Sequence, residues 1–352
     1  MKEDIRKYSI DELLLVIQEM GEKPFRASQI QEWIWGKSAQ SFDEMTSLSK
    51  ELRERLKERF DILPIAISEF QKSGDGTFKL AFTTHDKKVV EGVLIPTAKR
   101  MTACISSQVG CSLSCAFCAT GRLKRLRNLT AAEVYDQVVA IRDLAEKEYQ
   151  KPLTNIVIMG MGEPLLNYAE MMKGISFVTS EKGLGMSPKR ITLSTAGISK
   201  MIKKLGDDQS RIKLAVSLHA ANDKKRSSIM PINDQNNLEV LAESLQYYYE
   251  KTKQPVTFEY IIFRDFNDTI EDAKELLAFC KKVPSKVNII EYNSIDDGEF
   301  QQADPDKVDA FAAFLEKNDV VAVVRRSRGK DIDAACGQLA NKNKTANELF
   351  NT

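Results

Sequence analysis

Thr102-Ala-Cys-Ile-Ser106, Thr130-Ala-Ala-Glu133-Val134-Tyr-Asp-Gln-Val138-Val-Ala-Ile141-Arg-Asp-Leu-Ala145 and Asn155-Ile-Val-Ile-Met159 read, in that order, as strand, helix and strand. The outer two runs are short and largely apolar, with the length of buried strands. The middle run opens on Thr130 with Glu133 three residues later, the pattern of a helix-capping box. Val134, Val138, Ile141 and Ala145 then recur at helical spacing and form one apolar stripe. The alternation continues through strand-like runs at Arg190–Ser194, Ile212–Leu218, Val256–Ile262, Lys286–Glu291 and Val320–Val324, with helical patterns between them. Strands alternating with helices imply a parallel sheet with right-handed crossovers. Seven strand candidates fit an α/β fold of the partial or full β/α-barrel kind over residues 99–340, with an open doubly wound sheet as the alternative.

Outside this repeat the chain changes character. Residues 1–60 read as a small helical N-terminal domain: Ile10, Leu13, Leu14 and Ile17 keep helical spacing, a second pattern runs through Ile30, Trp33 and Ile34, and Ser49 can cap a third helix, Lys50–Phe60. Residues 61–98 are a β-rich connector, in which Lys79–Thr84 and Lys88–Ile95 form a hairpin about His85-Asp86. Residues 341–352 are expected to be a flexible tail.

Composition limits the partners. With 352 residues, 43% hydrophobic and 29% charged, the chain has the make-up of an ordinary globular protein. No run of about 18 apolar residues occurs, so no membrane span is expected. Met1 to Met20 mixes charged with apolar positions, unlike a signal peptide, which points to the cytoplasm. The formal charge is +1, so any nucleic-acid binding must rest on local patches. Two are visible: Arg122, Lys124, Arg125 and Arg127, and Arg325, Arg326, Arg328 and Lys330.

The six cysteines are Cys104, Cys111, Cys115, Cys118, Cys280 and Cys336. In a cytoplasmic chain they suggest metal or catalytic chemistry rather than a disulfide framework. Cys111-Ser-Leu-Ser-Cys115-Ala-Phe-Cys118 follows the first barrel strand, at the rim where barrel active sites gather. Three thiolates so spaced can hold three corners of a [4Fe-4S] cluster and leave one iron open to chelate S-adenosylmethionine. The rival is a closed zinc site with Cys104 as fourth ligand. Gly162-Glu163-Pro164 follows the strand Asn155–Met159, where a carboxylate can hold an ammonium group. Ser194, Ser217 and His219 close other strands on the same rim, and Asn293 follows another. Cys280 falls on a helical stripe with Ile270, Ala273, Leu276 and Leu277 and reads as core.

Five stretches carry a resemblance. Cys104-Ile-Ser-Ser-Gln-Val-Gly-Cys111 with the cysteine triplet, Met159-Gly-Met-Gly-Glu-Pro-Leu165, Ser194-Thr-Ala-Gly197, Ser217-Leu-His219 and Asp331-Ile-Asp-Ala-Ala-Cys-Gly-Gln-Leu339 occur in order. The triplet with its aromatic residue is similar to the radical-SAM superfamily, and together the stretches resemble the RNA adenine methyltransferases of the RlmN/Cfr family, from about Arg26 to Leu339.

The resemblance implies a partial barrel of the radical-SAM type and methylation of adenine carbon 2 in 23S rRNA and in tRNA; carbon 8 is the alternative within the family. A radical-SAM enzyme that activates a protein partner is the alternative outside it. The cluster ligands would be Cys111, Cys115 and Cys118. Gly162, Glu163, Ser194, Ser217, Leu218, His219 and Asn293 would contact S-adenosylmethionine, used twice per turnover. Cys336 would accept a methyl group and become the S-methylcysteine intermediate, and a deoxyadenosyl radical would activate it for attack on the base. Glu91 would be the proton acceptor, and Cys104 would release the product by a transient disulfide with Cys336. An electron donor such as flavodoxin or ferredoxin, an RNA-docking role for the N-terminal helices and a monomeric enzyme are implied as well.

Overall fold

The computed structural model describes residues 2–296 and 298–342. Its centre is one ten-stranded sheet in which spatial order follows chain order. The strands are β1 (Ala66–Lys72), β2 (Phe78–Thr83), β3 (Val89–Pro96), β4 (Met101–Cys104), β5 (Asn155–Ile158), β6 (Ile191–Thr195), β7 (Lys213–Ser217), β8 (Val256–Ile262), β9 (Ser285–Glu291) and β10 (Ala322–Arg325). From β1 to β4 neighbours run antiparallel. From β4 to β10 they run parallel, and these are the seven strands of the βα alternation. The sheet ends at β1 and β10, so the barrel is open.

The helices that link the parallel strands are α4 (Ala131–Tyr149), α5 (Tyr168–Thr179), α6 (Ser199–Asp207), α7 (Asp223–Ile229), α8 (Leu238–Thr252), α9 (Ile270–Cys280) and α10 (Pro305–Lys317); three helices precede them, α1 (Ile10–Glu19), α2 (Phe25–Gln31) and α3 (Lys50–Arg59). Local chemistry explains their starts. At α4 the Glu133 N–H donates to Thr130 Oγ1 at 3.2 Å and the Thr130 N–H donates to Glu133 Oε2 at 2.9 Å. Val134, Val138, Ile141 and Ala145 are all buried. Ser49 caps α3 through the Leu52 N–H at 3.2 Å.

The N-terminal helices are packed onto the barrel, not hung from it. Trp35 is buried and stacks on Phe177 of α5 with ring centroids 3.7 Å apart. The Tyr135 hydroxyl of α4 donates to the Trp35 carbonyl at 2.7 Å. Arg6, also buried, bridges Asp4 and Asp136 of α4 at 2.9 and 2.8 Å. A buried ion pair of this kind fixes geometry more than it adds stability.

The hairpin is β2–β3, and its strands extend the barrel sheet through β4. A third strand, β1, lies outside it and has no counterpart in the sequence reading, because nearly all its residues are exposed and show no alternation. The expected tail is corrected at its start: Asn341 is buried, and its Nδ2 donates to the Val89 carbonyl at 2.9 Å. Residues 343–352 of that tail lie outside the described residues.

Candidate active site

The loop after β4 carries the cysteine triplet and is tied at both ends. The Cys111 N–H donates to the Leu123 carbonyl at 3.3 Å and the Ala116 N–H to Ile229 at 3.0 Å. Just past the triplet, the Ala119 N–H donates to the Gly337 carbonyl at 2.8 Å, and Thr120 Oγ1 donates to the Leu339 carbonyl at 2.6 Å. These two bonds seat the Cys336 loop, more than 200 residues away in sequence, on the cysteine loop. Gly337 takes φ +84°, a left-handed conformation in which glycine meets no Cβ penalty.

Two cavities meet there. One, of about 160 Å³, is lined by Cys111, Cys115, Cys118, Glu163, Ser194 and Ser217, with Gly162 and His219 also on its wall. The other, of about 350 Å³, is lined by Cys104, Arg100, Arg325, Arg326 and Arg328 among others. Cys118, Gly160, Cys336 and Gly337 belong to both walls. Cys336 is exposed there, at the passage between the two.

The thiols are neutral in this arrangement. Burial raises the pKa values of Cys111, Cys115 and Cys118 above their ordinary value. Metal uptake therefore releases protons. The three sulfur atoms of the triplet are not gathered within 4.8 Å of one another; the only such group among the described residues is His85, Asp86 and Glu133. Zinc–sulfur bonds of about 2.3 Å would draw tetrahedral ligands to roughly 3.8 Å from each other. The wider spacing, with three thiols on one cavity wall, fits a cubane cluster better than zinc. Cys104 lines the other cavity and is not gathered with the triplet, so it is no fourth ligand here.

Glu163 is buried, with Oε2 accepting from the Ala196 N–H at 2.7 Å and Oε1 from the Leu165 N–H at 3.0 Å. Gly162, at φ +93°, presses against Gln108, whose Cβ lies 2.5 Å from where a Cβ would stand. Burial raises the Glu163 pKa from 4.5 to about 7 against the pull of those N–H groups. The folded protein thus favours the protonated form, and unliganded stability falls as pH rises from 4.5 through about 7. An ammonium ligand reverses that preference. The thermal stabilisation given by S-adenosylmethionine is expected to grow between about pH 6 and pH 8, and to lose that growth in Glu163→Gln. A pH-independent stabilisation in melting curves would contradict this role.

His219 adopts φ +57° and its Nδ1 accepts from the Ile261 N–H at 3.1 Å, which leaves the proton on Nε2. Burial, with the nearby Arg226, lowers its pKa to about 3, so the ring is a neutral donor. Ser194 and Ser217 line the smaller cavity as expected. Leu218 and Asn293 are not among the lining residues of either cavity. Leu218 is wholly buried. Asn293 Nδ2 donates to the Cys336 carbonyl at 3.3 Å, and its Oδ1 is buried without a partner, so it reaches the Cys336 loop.

Glu91, the proton acceptor implied by the resemblance, is held away from both cavities. It is fully buried, pairs with Lys79 at 3.1 Å, and accepts from the Ala340 and Asn341 N–H groups at 2.9 and 3.1 Å. It lines neither of the two cavities. The C-terminal strap 340–341 holds it. Cys104 is buried, and its pKa is pushed up to about 12, by burial and then by Cys336. The partly ionised resting thiol that ready attack on a disulfide partner requires is therefore absent. In the first basic patch, Arg127 is drawn into Asp86 and Glu133, at 2.7 and 2.8 Å, and is not free for phosphate.

Sequence reading missed two buried charges. Glu259, on β8, lines the smaller cavity, and its Oε2 is buried without a hydrogen-bond partner. Arg226 is fully buried under the rim. Its one sequence signal is the three-residue offset from Ile229, which puts both on one face of α7 inside an otherwise basic run.

Comparison with known proteins shows the family. Residues 4–62 match the ribosomal RNA large subunit methyltransferase N-terminal domain, and residues 105–280 match the radical SAM superfamily. The "Probable dual-specificity RNA methyltransferase RlmN" of Cytophaga hutchinsonii is 58% identical over 97% of this chain and 93% of its own length. That of Christiangramia forsetii is 56% identical over 97% of each. The chain belongs to the RlmN family of radical-SAM RNA methyltransferases. The crystal structure of a radical SAM methyltransferase from Sphaerobacter thermophilus superimposes with a TM-score of 0.90 at 38% identity, covering 96% of this chain and 99% of that one. An RlmN-family enzyme of this kind uses an iron–sulfur cluster and S-adenosylmethionine, and no described helix is long and apolar enough to cross a membrane.

Proposed function

We propose that the protein methylates carbon 2 of an adenine in 23S rRNA and in tRNA, with Cys336 as the methyl carrier. The observation that carries this reading is the position of Cys336 on the wall common to both cavities, between the cysteine triplet with Glu163 and the arginine-lined space containing Cys104. Methyl transfer to an aromatic carbon that is electron-poor needs such a relay, because that carbon is no nucleophile toward a sulfonium.

Cys111, Cys115 and Cys118 would hold a [4Fe-4S] cluster, and Glu163, Ser194, Ser217, His219 and the Gly162 backbone would hold S-adenosylmethionine, with Asn293 and the Leu218 backbone beside them. When bound, this pair supplies a methyl group and a one-electron route to a strong hydrogen abstractor, twice using S-adenosylmethionine in each turnover. The chain does the rest. Phe117 packs edge-on to His219 at 4.7 Å, and this apolar contact helps keep water from the smaller cavity. Arg100 offers a phosphate contact at the larger one, and Arg325, Arg326 and Arg328 join it by exchanging their carboxylate partners Glu259, Glu291 and Asp75 for phosphate, which makes RNA binding salt-dependent. The target base must leave its stack to reach Cys336.

Cys104 resolves the adduct. Its thiolate attacks the Cys336 sulfur, an S–S bond forms, and the S–carbon bond to the base breaks with its electron pair on carbon, which takes a proton. Two electrons from a dithiol reductant then reopen the disulfide. Cys104 must first lose its proton, which the bound substrate has to promote. Glu91 accepts the ring proton once the strap 340–341 has moved off its carboxylate. The N-terminal helices dock RNA, a flavodoxin or ferredoxin supplies electrons, and the enzyme works as a cytoplasmic monomer.

Cys104→Ala is expected to trap RNA on the protein through Cys336, seen as a nuclease-trimmed adduct by mass spectrometry. Multiple turnovers without an adduct would refute the resolving role. A product modified at carbon 8 in the wild-type reaction would replace the carbon 2 assignment.

A further inference from the structure

Arg226 is a buried cation with no acid on it. Its side chain has 0% exposure, and no carboxylate lies within ion-pair distance among the described residues. All its hydrogen bonds go to neutral acceptors. Nε donates to the Leu218 carbonyl at 3.2 Å, Nη1 to Asn233 Oδ1 at 2.7 Å, and Nη2 to the Ala196 and Ser217 carbonyls at 2.7 and 3.3 Å. Three of those carbonyls are at the rim ends of β6 and β7. The Ala196 peptide joins Arg226 to Glu163, since its carbonyl accepts from the guanidinium while its N–H donates to Glu163 Oε2.

A charge taken out of water is costly unless something opposite in sign faces it. The five donors of a guanidinium are well used here, yet the charge itself is not neutralised by its ligands. Arg226 lies behind the wall of the smaller cavity: Ala196 and Ser217, whose carbonyls it holds, line that cavity together with Cys115. Cys115 is the first group that supports its charge electrostatically, ahead of Asp223, and in turn Arg226 favours the anionic form of Cys115. Burial lowers the Arg226 pKa to about 10, which still leaves it cationic at neutral pH. The protein has therefore built a fixed positive charge against a site whose thiolates become anionic only when metal is loaded.

We propose that Arg226 is a positioning residue for the cluster: an uncompensated buried cation that favours the added electron on the cluster bound by Cys111, Cys115 and Cys118, while holding the strand-end peptides that present Glu163. This inference rests on the reading that the triplet holds an iron–sulfur cluster. The electron comes from a low-potential one-electron donor. A nearby positive charge stabilises the reduced cluster and raises its midpoint potential. Asp223 is exposed, where water screens it. Asn233 links the two, because its Nδ2 donates to Asp223 Oδ1 at 2.8 Å while its Oδ1 accepts from Arg226.

The test is a potentiometric titration of the anaerobically reconstituted full chain, followed by electron paramagnetic resonance, with iron and sulfide counted in each sample. Arg226→Lys keeps the charge and Arg226→Gln removes it. The exchange Asp223→Asn with Asn233→Asp keeps the guanidinium and sets a carboxylate directly against it. Arg226→Gln and the exchange are both expected to disfavour the reduced form by about tenfold, about 59 mV for a one-electron couple, with Arg226→Lys close to wild type. If Arg226→Gln does not fold, the exchange decides. A wild-type potential in the loaded exchange variant would overturn the proposal, as would failure of all three variants alike to load a cluster, which marks a structural clamp alone. A wild-type chain that takes up no iron and sulfide is a different result, and defeats the cluster reading itself.

Discussion

Cys336→Ala is expected to lower RNA methylation by more than about a thousandfold, the scale seen when a covalent nucleophile is removed. The fold should survive. Cys336 is exposed on the cavity wall, and its loop is held through backbone groups: the Gly337 carbonyl by Ala119, the Leu339 carbonyl by Thr120, and the Cys336 carbonyl by Asn293. None of these bonds uses the sulfur. Removing it should shift stability by less than about 1 kcal/mol, as for a substitution away from the packed core. S-adenosylmethionine binding should persist, because Glu163, Ser194 and His219 are untouched. A direct transfer enzyme would show the reverse, with methylation retained. Quantifying methyladenosine in digested RNA, beside a thermal melt, separates the two.

Cys118→Ala carries the second large effect. Cys118 is the one member of the triplet that faces both cavities, next to Cys336. Its N–H is held by the Cys115 carbonyl at 3.2 Å, so the loop keeps its shape without the sulfur. The expected results are loss of the cluster's visible absorption and reductive cleavage of S-adenosylmethionine at background level. Normal cleavage in this variant would remove Cys118 from the ligand set. Zinc, by contrast, would appear in metal analysis of the wild-type chain with no matching sulfide.

Much of this was legible because it depends on local pattern. The strand–helix alternation needs only a few residues of context, and the Thr130–Glu133 cap forms within one turn. The triplet shows through residue type and spacing that it can hold a cluster, and Cys336 is singled out by the stretch Asp331–Leu339 that carries the family resemblance. What stayed hidden depends on contacts across the chain. The burial of Glu91 was hidden, because its partners Lys79, Ala340 and Asn341 come from β2 and the C-terminal strap. Arg127 looked available until Asp86, from the hairpin turn, folded onto it. Arg226 reads as one more solvated cation beside Lys224 and Lys225, and only the carbonyls of β6 and β7 turn it inward. β1 carries no alternation because neither face is buried deeply enough to require one.

The most direct test of Cys336 as methyl carrier is one turnover with methyl-deuterated S-adenosylmethionine. The enzyme is first freed of any methyl on Cys336, its cluster is reconstituted anaerobically, and unmodified 23S rRNA is supplied. Mass spectrometry of the digested RNA is expected to show an adenosine methylated at carbon 2 whose methyl has lost one deuterium, as activation of a Cys336-bound methyl requires. A methyl that keeps its full deuterium content would mean direct polar transfer and would contradict the account.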